Sequence, residues 1–225
     1  MDSRDAVVIE PEGKADSSVI LMHGLGADGF DFQTLVPELR LPPEPSIRWV
    51  FPHAPLRPVT INGGFRMRAW YDIVAIDPSV PEDESGIRES ANAIGDLIQT
   101  EKKDGIKAQR IVIAGFSQGG AMALFTALRW PERLAGLAAM SCYLPLPDTL
   151  AAEAHPSSST LPVFMAHGTL DPVVPLELGE TARDRLRASG YGVSWHTYEM
   201  EHGLCMQEVA DLREWLLGVL SRPAP

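Results

Sequence analysis

The run Gly115-Phe-Ser-Gln-Gly119 sets a serine midway between two glycines. A serine hydroxyl is a weak nucleophile at neutral pH. It attacks a carbonyl only when a base takes its proton and fixed donors receive the charge that develops on the carbonyl oxygen. The surroundings of this serine place it for such an attack. Ahead of it lies the apolar run Arg110-Ile-Val-Ile-Ala114, and behind it Ala121 to Trp130 reads as a helix halted by Pro131. A strand that turns directly into a helix lifts the residue at its apex above the sheet, and glycines on either side remove side chains that would collide in so tight a turn. Ser117 is the candidate nucleophile. The plainer alternative, an N-cap serine in a glycine-rich turn, leaves the partners described next without a purpose.

For a serine on such a turn the chain order is nucleophile, then carboxylate, then histidine. Asp171 stands in His167-Gly-Thr-Leu-Asp-Pro-Val-Val-Pro175, five residues past an apolar run and in a loop stiffened by two prolines. Asp184, Glu177 and Glu180 fall on a predicted helix and read as surface charges. His202 stands in Glu199-Met-Glu-His-Gly203, between a predicted strand and the last predicted helix. His53 precedes Ser117 and His167 precedes Asp171, so neither closes the order. His155 lies in a polar loop, and His196 lies inside an alternating strand. Asp171 is therefore the candidate acid and His202 the candidate base. The oxyanion needs two amides. The backbone N–H of Gln118, at the start of a helix, is one. The loop after an early strand, His23-Gly-Leu-Gly26, offers the N–H of Leu25 as the other. His23 itself is expected to pack beneath the site.

The elements that must hold these groups alternate along the chain. Predicted strands cover Ser18–Met22, Ile47–Phe51, Arg110–Ala114, Leu134–Met140, Leu161–Ala166 and Val193–Tyr198. Predicted helices cover Ser85–Lys103, Ala121–Trp130, Leu176–Ser189 and Gln207–Leu220, with helical spacing of apolar residues clearest at 87, 91, 94, 97 and 98. Strands that are apolar throughout and separated by helices imply a mostly parallel central sheet with helices on both faces. Every candidate above follows a predicted strand, as the geometry of such sheets requires. Two segments read as long loops. Pro52 to Gly86 is rich in Pro, Gly and Asp, yet carries Phe65, Met67, Trp70 and Tyr71. Apolar residues in a loop must bury against something. Phe65, Met67, Trp70 and Leu144 are therefore expected to line an apolar acyl groove, with Trp70 nearest the chemistry. Leu144 to Thr160 has little apolar content, the composition of a mobile connection.

The 225 residues fit one domain over 1–225, and 45% of them are hydrophobic. Nineteen Lys and Arg against 30 Asp and Glu give a formal charge of −11, which argues against nucleic acid and anionic membrane surfaces as partners. No stretch approaches the ~18–20 apolar residues of a membrane span, so stable membrane insertion is not expected. Residues 1–5 lack the features of a signal peptide, which leaves the cytoplasm as the default location. In that setting Cys142 and Cys205 are expected to be free thiols. The six histidines form no ligand pattern, so neither a metal nor a cofactor is expected.

His23-Gly-Leu-Gly26, Pro52-His-Ala-Pro55, Pro58-Val-Thr-Ile-Asn62, Met67-Arg-Ala-Trp-Tyr-Asp72, Gly115–Gly120, His167–Pro175 and His202-Gly203 occur in this order. Together they resemble the carboxylesterase/lysophospholipase family of the α/β-hydrolases, which includes the acyl-protein thioesterases; the small bacterial carboxylesterases are nearest in look. The resemblance implies the α/β-hydrolase fold and hydrolysis of small-molecule carboxylic esters, with thioesters as a further class, through Ser117, Asp171 and His202. It also implies Leu25 and Gln118 as oxyanion amides, a loop around Trp70 bordering the acyl groove, and a homodimer. Ala27-Asp28 departs from the Asp-Thr pair of many animal members, and Leu146 to Leu161 is unlike them. A carboxylesterase working through an acyl-enzyme is therefore the first expectation. An acyl-protein thioesterase or lysophospholipase with the same triad is the second, and a non-catalytic hydrolase-fold receptor the third.

Overall fold

The computed structural model describes residues 6–77 and 79–221. The expectation drawn from residues 1–5 lies outside them. Among the described residues the elements run β1 (Ala6–Ile9), β2 (Ser17–Met22), α1 (Leu35–Glu38), β3 (Ile47–Pro52), β4 (Leu56–Val59), β5 (Phe65–Arg68) and α2 (Glu84–Lys103). They continue β6 (Ile111–Phe116), α3 (Gln118–Arg129), β7 (Gly136–Met140), α4 (Leu150–Glu153), β8 (Val163–Gly168), α5 (Leu176–Ala188), β9 (Val193–Tyr198) and α6 (Met206–Leu220). The main sheet has the order β1-β3-β2-β6-β7-β8-β9. All its pairings are parallel except that of β1 with β3.

Alternation along each strand explains why the runs are apolar throughout. Ile20, Met22, Ile111, Ile113, Leu137, Ala139 and Val163 face α2, α3 and α5, where Ile94, Ile98, Leu124, Leu128 and Leu186 meet them. The intervening residues Val19, Leu21, Val112, Ala114, Ala138, Met140 and Phe164 face α1 and α6, against Leu35, Val209, Leu212 and Leu216. A strand buried on both faces has no polar side to show. This is the α/β-hydrolase arrangement, with the central strands delivering their carboxyl ends to one edge.

Two expectations about loops are corrected. The stretch from Pro52 to Gly86 contains an antiparallel hairpin, β4 with β5 in the register Leu56↔Arg68 to Val59↔Phe65. Its turn uses Gly63 and Gly64 at φ 68° and 78°, a region open to glycine without steric cost. The stretch from Leu144 to Thr160 is not a slack connection. Leu150 and Ser158 are buried, and the Ser158 hydroxyl bonds the Leu128 carbonyl at 3.0 Å and the Tyr191 hydroxyl at 2.9 Å.

α6 buries one charged side chain that its sequence pattern leaves on the surface. Glu208, in the first turn, has no exposed area, and neither carboxylate oxygen meets a protein donor among the described residues. Burial, reinforced by the nearby Asp211 charge, pushes its carboxyl up from 4.5 to about 8. The folded state thus keeps this proton across a range in which the unfolded chain has released it. Between 4.5 and about 8 the folded form binds more protons, so this group's contribution to stability falls as pH rises through that window. Glu208→Gln is expected to raise the melting temperature above pH 8 while changing it little near pH 4.5. A wild-type-minus-variant difference that stays constant across the window would show that Glu208 does not titrate there.

Candidate active site

The strand–helix turn after β6 sits where its sequence requires. Ser117 has φ 55° and ψ −121°, an uncommon conformation for a residue with a Cβ. A Cβ added to Gly115 would lie 2.1 Å from the Gly119 carbonyl oxygen, and one added to Gly119 would lie 2.2 Å from that of Met22. Both positions therefore exclude any larger residue, and they let α3 start directly against the end of β2. The Ser117 N–H donates to the Met140 carbonyl at 2.8 Å, and the Ser117 carbonyl accepts from Ala121 N–H at 3.0 Å.

The loops after β8 and β9 bring two further groups to this apex. His202 Nε2 lies 2.9 Å from Ser117 Oγ, and His202 Nδ1 lies 2.7 Å from Asp171 Oδ2. A carboxylate at Nδ1 holds that nitrogen as a donor and leaves Nε2 to accept from the hydroxyl. The Asp171 side chain is fully buried. Its other oxygen accepts the N–H groups of Val173 and Val174, each at 2.9 Å. The two loops are also tied to each other: Leu170 N–H donates to the Met200 carbonyl at 3.1 Å, and Thr169 N–H to that of Tyr198 at 2.8 Å. Beneath them, the buried His167 bonds the Val174 carbonyl through Nε2 at 2.8 Å. Burial lowers the pKa of His167, so the ring braces the Asp171 loop as a neutral imidazole. Sequence reasoning set His167 aside as misplaced for a base. Its position at the end of β8, four residues before Asp171, is the signal that it serves the acid instead.

Gln118 follows Ser117 directly at the start of α3, and Leu25 lies in the loop after β2. A Cβ added to Gly24 would lie 3.3 Å from the Ser117 Cβ, so the loop after β2 passes directly beside the serine. Among the described residues neither the Leu25 nor the Gln118 N–H donates to a protein acceptor. His23 lies beneath this loop, buried, with Nδ1 2.7 Å from the Gly24 carbonyl and Nε2 accepting from Ala54 N–H at 3.0 Å. Desolvation lowers its pKa, which suits a ring that must accept at Nε2. No group of three or more His, Cys, Asp and Glu among the described residues could hold a metal ion, and Cys142 and Cys205 are unpaired. None of the described helices is long and apolar enough to cross a membrane.

A model of the phospholipase/carboxylesterase family matches residues 3–219. The chain belongs to that family. Acyl-protein thioesterase 1 of Neurospora crassa is 41% identical over 231 residues, covering 98% of this chain and 94% of that protein. Acyl-protein thioesterase 1 of Mycosarcoma maydis is 40% identical, covering 95% of this chain and 96% of that protein. Among solved structures, Zea mays acyl-protein thioesterase 2 superposes with a TM-score of 0.86 at 32% identity, over 96% of this chain and 98% of that one.

In this member of the phospholipase/carboxylesterase family, the four side chains expected around the acyl chain lie in different settings. Trp70 is fully buried and presents no surface to a ligand. Phe65 stands 75% exposed at the hairpin. Met67 is half-buried under the loop after β2, its sulfur 3.7 Å from where a Gly26 Cβ would be. Leu144 borders a cavity of about 320 Å³ with Ile76, Tyr143, Leu146, Leu178 and Ala182. The Tyr143 hydroxyl is 2.7 Å from that of Tyr71. Sequence reasoning missed Ile76, Leu146 and Leu178, since lone apolar residues near Pro, Asp and Glu carry no periodic signal.

Asp171→Asn tests the geometry of the relay. Asn keeps an oxygen for the Val173 and Val174 amides, but turns an NH₂ toward His202 Nδ1. The ring must then accept at Nδ1 and carry its proton at Nε2, facing a hydroxyl it can no longer deprotonate. kcat is expected to fall on the order of 10⁴-fold, with little change in melting temperature. Activity within about tenfold of wild type would mean that the Asp171–His202 contact does not set the tautomer.

Proposed function

We propose that this chain is a serine hydrolase that cleaves acyl thioesters, and matched oxyesters more slowly, through an acyl-enzyme on Ser117. The observation that carries the reading is the unbroken relay from Ser117 Oγ through His202 to Asp171, at 2.9 Å and 2.7 Å, on a backbone strained at φ 55°. Such a relay has no structural use at a cleft, and its cost is recovered only in chemistry. It also speaks against the non-catalytic receptor.

Ser117 Oγ attacks the acyl carbon as its proton passes to His202 Nε2. The carbonyl oxygen becomes an oxyanion and accepts from the Leu25 and Gln118 amides. Asp171 stabilises the imidazolium at Nδ1. Collapse of the tetrahedral species breaks the bond to sulfur or oxygen, and the His202 proton leaves with the departing group. Water then repeats the sequence: His202 takes its proton, its oxygen attacks the acyl-serine, and Ser117 regains its hydrogen as the carboxylic acid departs.

The substrate class rests on the relatives. The sequence alone put carboxylesterase first and thioesterase second. Two fungal proteins named acyl-protein thioesterase 1, about as long as this chain and 40–41% identical to it, support placing thioesterase first. The chemistry agrees: a thiol with pKa ≈ 8.5 is expelled more readily than an alcohol and asks less of His202 as an acid. The acyl chain is assigned to the cavity bordered by Leu144, Ile76, Leu146 and Leu178. Leu144 is retained from the expected groove, and Trp70 is not.

The experiment pairs thioester and oxyester substrates of one acyl chain, with a lysolipid of the same chain as a third arm. The thioester is expected to show the highest kcat/KM. Ser117→Ala should lower kcat on all three by on the order of 10⁴–10⁶. Retention of more than about a tenth of wild-type turnover in Ser117→Ala would remove the nucleophile. A preference for the lysolipid would replace thioesterase by lysophospholipase and keep the mechanism.

A further inference from the structure

Trp70 has no surface exposure, yet each of its polar atoms is bonded, and to groups far away in sequence. Its indole Nε1–H donates to the His23 carbonyl at 2.9 Å. Its backbone N–H donates to Gln118 Oε1 at 2.9 Å. Its carbonyl accepts from the Ser90 hydroxyl. Gln118 returns the contact, donating from Nε2 to the Tyr71 carbonyl at 2.7 Å. Burial alone obliges these polar atoms to find partners; what sets Trp70 apart is which partners they find.

The partners matter more than the number. His23 leads into the loop that carries the Leu25 amide, and Gln118 owns the other free amide beside Ser117. These two donors stand on separate segments. The sheet aligns their strands as far as Met22 beside Gly115, but the loop from 23 to 26 then leaves the sheet and strand pairing no longer fixes it. Its ties run to the segment that ends in Trp70. Ala54 N–H donates to His23 Nε2 at 3.0 Å, and Gly26 N–H donates to the Arg68 carbonyl at 2.9 Å. The His23 and Trp70 rings pack with centroids 5.3 Å apart. Trp70 is the residue bonded to both sides.

We propose that Trp70 is a positioning residue that locks the Leu25 and Gln118 amides at one fixed separation, so that both point at the same developing oxyanion. The inference rests on the serine-hydrolase reading above. Preorganised donors contribute to rate only when their separation is set before the reaction begins, and an error of about 1 Å at such a site lowers rate on the order of 10²-fold. Two amides on independent segments need a common support, and Trp70, bonded to His23 through its indole and to Gln118 through its backbone N–H, provides it. Removing the indole N–H leaves the His23 carbonyl without its donor and frees the loop at that point.

The test is Trp70→Phe, which keeps an aromatic ring against His23 and removes the indole donor together with the volume of one ring. Kinetics on an acetyl ester exclude any effect of an acyl groove. kcat is expected to fall about 10- to 100-fold with KM nearly unchanged. The affinity of a short alkyl trifluoromethyl ketone, which binds as the tetrahedral adduct, should weaken by the same factor as kcat/KM. Gln118→Met is the second variant. It keeps the backbone amide and deletes both side-chain bonds to residues 70 and 71, so it should show the same split, and it carries the test if Trp70→Phe does not fold. Combined, the two changes should be less than additive, since each breaks the same support. A loss that grows with acyl length and spares the acetyl ester would overturn the proposal in favour of a groove residue. So would a lower melting temperature with kcat and ketone affinity intact, which is the mark of simple packing. Ser117→Ala, run alongside, reports separately on the serine-hydrolase reading: an active Ser117→Ala variant sinks that reading whatever Trp70→Phe does.

Discussion

Ser117 occupies a backbone conformation at φ 55° that costs of order 1–3 kcal/mol wherever a side chain is present, and most of the architecture can be understood as the means of holding it there. The strain persists because it is determined from several sides. β6 is paired on both edges, by β2 and β7, so its end cannot shift. α3 presses against the end of β2 at a distance that Gly119 alone permits. The Ser117 N–H is held by the Met140 carbonyl. No local sequence preference would keep a serine in this state; a central strand between two parallel neighbours does.

The same logic extends to the groups that Ser117 meets. Two of the loops around Ser117 are braced by a buried histidine in its neutral form. His23 supports the loop after β2, and His167 supports the loop after β8. Both have pKa values lowered by desolvation, and both use ring nitrogens on backbone atoms. Three of the six histidines thus gather in one corner, and only His202 faces the serine. Their division of labour follows from burial and partners, not from residue type.

The sequence made the frame and the reacting groups legible for one physical reason: both are encoded locally. Runs such as Ile111-Val-Ile-Ala114 are apolar on both sides because helices cover both faces, so they stand out without any knowledge of their neighbours. The glycines around Ser117 are likewise a local statement, and Asp171 and His202 each stand in a short loop just after a strand that is legible in the same way. What stayed hidden depends on partners distant in the chain. The β4–β5 hairpin carries Arg57, Pro58, Arg66 and Arg68 and packs little of itself inside, so its composition is that of a loop. The sequence leads to the expectation that Trp70 lines a groove, but its place inside the core is fixed by Gln118 and His23, 48 and 47 residues away. Glu208 has the pattern of a helix surface, and only the packing of α6 on the sheet takes its carboxylate out of water.

The central claim is that an acyl group passes through Ser117, and its most direct test is to catch the group there. The protein is mixed with excess acyl thioester, quenched in acid within a few turnovers, and measured intact by mass spectrometry before peptide mapping. The account predicts a mass increase equal to one acyl group less a hydrogen, located on the peptide that contains Ser117, and its absence in Ser117→Ala. An adduct on Cys205 instead, or steady turnover in the Ser117→Ala protein, would contradict it.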